Sequence, residues 1–94
     1  MATRVHIVDR TAAGCEALSS RFRSQGFEAT ASTSWSAFDR AFETELPDIV
    51  VVNAGRSIDR GLRVMRRLRA MNIVVPVLLI STEIDGRLVQ SVLD

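Results

Sequence analysis

Asp48-Ile49-Val50-Val51-Val52-Asn53 is the stretch on which the fold turns. Four β-branched residues follow one another without a polar interruption. A strand with one wet face alternates apolar and polar residues, whereas an unbroken run needs cover on both faces. Such runs belong at the centre of parallel sheets. Pro47 ends the helix before this strand, and Asn53 closes it with a polar side chain. Working outward, Val5-His6-Ile7-Val8, ending at Asp9, reads as a second buried strand. Pro76 to Ser81 reads as another, and Phe27 to Ala31 as a shorter, weaker one.

Amphipathic stretches separate the strands. Thr11 to Gln25 carries Ala17, Leu18, Arg21 and Phe22 at helical spacing, and Gly26 offers a left-handed stop. Ser34 caps a second helix that buries Ala37, Phe38, Ala41 and Phe42. Ala54-Gly55-Arg56-Ser57 reads as a loop. A third helix runs from about Ile58 to Met71 with Leu62, Met65 and Leu68 inward. Glu83 to Leu93 reads as a fourth helix, with Ile84, Leu88 and Val92 on one face. The order β-α-β-α-β-α-β-α predicts an α/β doubly wound parallel sheet with right-handed crossovers and helices on both sides. In open sheets of this kind, sites form at the carboxyl ends of strands, where the strand order reverses. Those ends are Asp9, Asn53 and Ser81.

Composition limits what the chain can be. Its 94 residues are 47% hydrophobic and 24% charged, with a formal net charge of +1. One globular domain over residues 1–94 accounts for this. The apolar runs are too short to span a bilayer, so no membrane role is expected, and no signal-peptide pattern opens the chain. A cytoplasmic location follows as the default. A single cysteine, Cys15, excludes an internal disulfide and cannot by itself make a metal site. The net charge does not point to nucleic acid.

In this layout the sequence resembles the receiver domain of two-component response regulators. VHIVDR is similar to the family's first strand with its acidic end, Gly26-Phe27 to the step after the first helix, and LPDIVVVN to the third strand. Gly61-Leu62 and RVMRRLR are similar to the third helix, and VPVLLIS to the fourth strand. The resemblance implies a flavodoxin-like receiver fold and a place in signal transduction or transcriptional regulation by phosphorelay. It also implies a fifth strand and helix, so the chain is expected to be a receiver without its C-terminal β-α unit.

The same resemblance implies chemistry that the residues here do not support. Receivers carry two adjacent acids after the first strand, which hold Mg²⁺ together with the phosphoacceptor. Here the pair is Asp9-Arg10. The phosphoacceptor should be aspartate, whose carboxylate is the nucleophile on phosphorus; here it is Asn53. Ser81 matches the switch hydroxyl. No lysine aligns with the family's own. The expectation is therefore a pseudo-receiver that is not an enzyme, has no cofactor, and binds Mg²⁺ weakly or not at all. It would act through a protein partner, whether an effector domain, a kinase or a second copy, with a homodimer expected. Contact with DNA would come only through a domain outside this chain. Two alternatives are a receiver that takes phosphate at another residue, Ser81 or Ser57, and a flavodoxin-like module for a small ligand. No glycine-rich phosphate loop favours the last.

Bland readings compete with the sharper ones. Asp9 can be a residual metal ligand, or can pair with Arg10, Arg56 or nearby backbone N–H groups. His6 can be an acid-base group or a packed structural histidine. Cys15 can be a redox sensor or a half-buried thiol. Arg60, Arg63 and Arg67 share one helix face and form either a binding patch or a solvated surface. Trp35, in the first turn of its helix, is either an interface anchor or folds back over its helix start. Leu88 and Val92 complete the candidate interaction surface. The fourth strand, as an apolar edge, invites self-association.

Overall fold

A computed structural model of the chain describes residues 2–56 and 58–81. The elements run β1 (Arg4–Val8), α1 (Ala12–Ser24), β2 (Glu28–Ser32), α2 (Trp35–Thr44), β3 (Ile49–Gly55), α3 (Ile58–Ala70) and β4 (Val77–Ser81). All strand pairs are parallel, in the order β2-β1-β3-β4. The chain moves from β1 to β2 on one side and returns to β3 on the other. The strand order therefore reverses between β1 and β3, and the doubly wound α/β sheet expected from the sequence is present.

Alternation along β1 and β3 sorts the core into two layers. Val5, Ile7 and Val51 are buried on the α1 side, with Leu18, Phe22 and Phe27 packed against them. Val8, Val50 and Val52 face the other way and meet Phe38 and Phe42 of α2 and Val64 and Leu68 of α3. The unbroken apolar run of β3 is thus explained: Val50, Val51 and Val52 are each 0% exposed.

Helix ends follow local chemistry. The Thr11 hydroxyl accepts the Gly14 N–H at 2.9 Å, and the Ser34 hydroxyl accepts that of Ala37 at 3.2 Å. At the far ends, Gly26 (φ 91°) and Asn72 (φ 57°) adopt the left-handed conformation. In each case the next residue bonds back across the turn, Phe27 N–H to the Phe22 carbonyl and Ile73 N–H to that of Leu68.

Several boundaries and faces differ from the sequence expectation. On α1, Ala17 and Arg21 are exposed while Cys15 and Ser19 are buried, because small residues let this helix sit close to the sheet. On α3, Val64 is fully buried, whereas Leu62 and Met65 flank it half-buried. The second helix stops at Thr44, ahead of Pro47. Ala54 and Gly55 are not loop: β3 carries through them with an irregularity between Asn53 and Gly55 where it pairs with β4. β4 is an edge among the described residues, and its Leu78 and Ile80 are 48% and 37% exposed. The expected fourth helix, with Leu88 and Val92, lies outside the described residues.

His6 is a structural histidine at 2% exposure. Its Nδ1 bonds the Thr30 hydroxyl at 2.7 Å and its Nε2 the Ser32 hydroxyl at 2.9 Å, both across the β1–β2 pair. Phe38 and Phe42 meet its ring edge-on. Burial lowers its pKa from 6.5 to about 4. The unfolded chain takes up this proton near pH 6.5 and the folded chain does not, so stability falls as pH drops through that window. Between pH 7 and pH 5 the loss from His6 is about 2 kcal/mol. Urea unfolding at the two pH values measures it. His6→Gln should flatten the difference, and parallel profiles for parent and variant would refute the assignment.

Candidate functional site

The carboxyl ends of β1 and β3 bring Asp9 and Asn53 together at the point where the strand order reverses. Asp9 is 7% exposed, an unusual burial for a carboxylate. Its Oδ1 accepts the Thr11 N–H at 3.0 Å, with the Thr11 hydroxyl at 3.3 Å. Its Oδ2 accepts the Asn53 Nδ2 amide at 2.8 Å. Of the partners considered for Asp9, the structure realises the backbone N–H; the Asn53 amide was not foreseen.

The Asn53 amide is held at both ends. While Nδ2 donates to Asp9, Oδ1 accepts the Gly55 N–H at 3.3 Å. Reversing the amide would set oxygen against carboxylate and NH₂ against N–H, so the network fixes its orientation. Gly55 itself adopts the left-handed conformation (φ 56°) at the end of β3. Ser81 lies opposite Gly55 in the strand register, and its hydroxyl donates to the Gly55 carbonyl at 3.2 Å.

Gly14 is a site residue that the sequence did not reveal. A Cβ there would stand 2.2 Å from Asp9 Oδ2 and 2.6 Å from Asp9 Cγ. The carboxylate is thus packed directly on the first turn of α1, and only glycine leaves room for it. The signal was legible in principle as a glycine at the third helical position, close behind an acid and a capping threonine.

Mg²⁺ does not fit this donor set. A hard cation needs several oxygen ligands and prefers carboxylates. Asp9 is the one carboxylate here, and each of its oxygens already accepts a hydrogen bond. Among the described residues no three His, Cys, Asp or Glu side chains gather at one point.

Arg10 lines an adjoining cleft together with Asp9, Thr33, Ser34, Trp35, Arg60 and Arg63. The three arginines crowd one another. Burial, and then the Arg10 cation, lower the Arg60 pKa; Asp9 opposes this and Arg63 adds to it. Arg67 behaves differently from Arg60 and Arg63, although all three share a helix face. It forms a two-pronged ion pair with Asp39 of α2, its Nε at 2.7 Å from Oδ1 and its Nη2 on Oδ2. That hydrogen bond holds the Asp39 carboxyl below its ordinary range. The Arg67 guanidinium also lies 5.2 Å from the Trp35 ring centroid. Trp35 packs edge-on against Phe38 and remains 37% exposed. Arg67 therefore ties α2 to α3.

Cys15 is buried, and its thiol lies 3.7 Å from the Ser32 carbonyl. Burial, with the Asp9 charge, raises its pKa, which disfavours the reactive thiolate.

No protein-family model matches the sequence, and no curated protein matches it significantly. Solved structures do match the fold. A response regulator from Thermotoga maritima superposes with a TM-score of 0.78 at 20% identity, covering 99% of this chain and 77% of that one. A response regulator receiver protein from Pseudomonas putida does so with a TM-score of 0.76 at 19% identity, covering 99% and 78%. The chain has the fold of a response-regulator receiver domain. No helix among the described residues is long and apolar enough to cross a membrane.

Proposed function

We propose that this chain is a receiver-fold signalling module that takes no phosphoryl group at the usual position and acts through protein contacts. The observation that carries this reading is the Asn53 Nδ2 to Asp9 Oδ2 hydrogen bond of 2.8 Å. In a receiver the corresponding pair of oxygens would bind a metal and attack phosphorus. Here an amide fills the acceptor position. Its nitrogen lone pair is delocalised and its oxygen is a poor nucleophile, so the covalent step lacks its reacting group. The one neighbouring carboxylate, Asp9, is held by hydrogen bonds from Thr11 and Asn53. The proposed setting is the cytoplasm. The proposed partners are an effector domain, a kinase or a second copy of this chain.

The contact surface we assign is β4, the edge strand among the described residues, with its exposed Leu78 and Ile80. A sheet edge leaves backbone donors and acceptors open to pairing, and two exposed aliphatic side chains add apolar area. Sedimentation velocity at tens of micromolar should show a dimer that Leu78→Lys dissociates. A parent that sediments as a monomer would exclude this surface as a self-association site.

Phosphorylation is tested directly by intact-protein mass spectrometry after incubation with acetyl phosphate and Mg²⁺. The parent should gain no phosphoryl mass, and Arg10→Asp combined with Asn53→Asp should gain one. A gain by the parent would overturn the proposal and direct attention to Ser81 or Ser57.

A further inference from the structure

We propose that the cleft lined by Arg10, Thr33, Ser34, Arg60 and Arg63 is a binding site for a phosphate-sized oxyanion, free or as a small phosphomonoester. Two loops and one helix build it. Arg10 comes from the β1–α1 turn, Thr33 and Ser34 from the β2–α2 turn, and Arg60 and Arg63 from successive turns of α3. This inference stands apart from the absence of phosphoryl transfer at Asn53, because it concerns non-covalent binding by other side chains.

The charge count is the first argument. Three guanidinium groups and one carboxylate, Asp9, line the cleft. Asp9 already accepts hydrogen bonds from Thr11 and Asn53. Among the described residues, none of the three arginines has a carboxylate within ion-pair distance. Arg67, on the same helix face, shows the alternative: there the fold supplies Asp39 as a partner. Like charges repel, and Arg60 is half-buried, so three cations face one another across the cleft with only the Asp9 carboxylate, already engaged by hydrogen bonds, to offset them.

Shape is the second argument. The cleft encloses about 120 Å³. Sites for drug-sized ligands occupy roughly 300–1,000 Å³, so this volume suits one compact group. Guanidinium forks match the paired oxygens of a phosphate. The Thr33 and Ser34 hydroxyls supply neutral donors, and α2 begins beside them, so its dipole adds to the same field. Asp9 is the opposing charge within the cleft.

Trp35 lines the cleft and is the only tryptophan of the chain, so its fluorescence reports occupancy. Titration with inorganic phosphate and, separately, with glycerol 3-phosphate, at ionic strength held constant with sodium chloride, should give a saturable change with at least one of them. Whichever binds more tightly identifies the source of the phosphate group. Arg60→Gln and Arg63→Gln should each weaken binding about tenfold. Arg66→Gln, exposed on α3 and outside the cleft, should leave it unchanged. Arg63 is exposed, so its substitution tests the site without disturbing the core. No saturable change with either anion, or undiminished binding by the Arg63 variant, would overturn the proposal.

Discussion

A single carboxylate buried at the end of the first strand sets the terms for everything around it. Burying an unpaired charge costs several kcal/mol, so Asp9 can remain at 7% exposure only if its oxygens are satisfied. Each neighbour answers that need. Thr11 gives its backbone N–H and caps α1 with its hydroxyl. Gly14 omits the side chain that would collide with the carboxylate. Asn53 reaches across from β3 with an amide donor. Where receivers place a metal ion among acids, this chain places a hydrogen-bonded amide, and its surplus positive charge lies in the adjoining cleft.

The sheet makes this arrangement inevitable once its order is set. β1 and β3 are adjacent and parallel with Val8 beside Val52, so Asp9 and Asn53 emerge next to each other. Alternation sends both toward α1. The residues before them, Val8 and Val52, point to the opposite layer and bind it through Phe38, Phe42, Val64 and Leu68. The polar site and the apolar core are thus consecutive positions on the same two strands. Arg67 closes the far layer by joining Asp39 and Trp35, while Arg63 and Arg60, one and two turns earlier, line the cleft.

How far the sequence announced this follows from how far each interaction travels along it. The buried run Ile49–Val52 named the central strand, because burial on both faces leaves a mark that a short window can read. Asp9 and Ser81 were legible as strand ends for the same reason, whereas β3 runs two residues past Asn53. The alignment of small residues on α1 was not legible, since Cys15 and Ser19 are not apolar enough to mark a buried stripe. Val64 was missed because Leu62 and Met65, larger and on either side of it, suggested a helical phase shifted by one position. The Asp39–Arg67 pair joins residues 28 apart, and no local pattern announces it. The extension of β3 through Gly55 was hidden by the turn-like composition of Ala54-Gly55-Arg56-Ser57.

The central claim is that an amide at Asn53 satisfies Asp9, and the stability of Asn53→Asp as a function of pH tests it most directly. The substitution sets two carboxylates at hydrogen-bond distance, so the folded pair should retain a proton that the unfolded chain releases near pH 4. A folded pKa raised in this way makes stability fall as pH rises above that value. Denaturant unfolding of the variant should match the parent most closely at acid pH and fall short by about 1–3 kcal/mol at pH 7, the cost of an unsatisfied buried group. A variant as stable as the parent at pH 7, with no added pH dependence, would contradict the account.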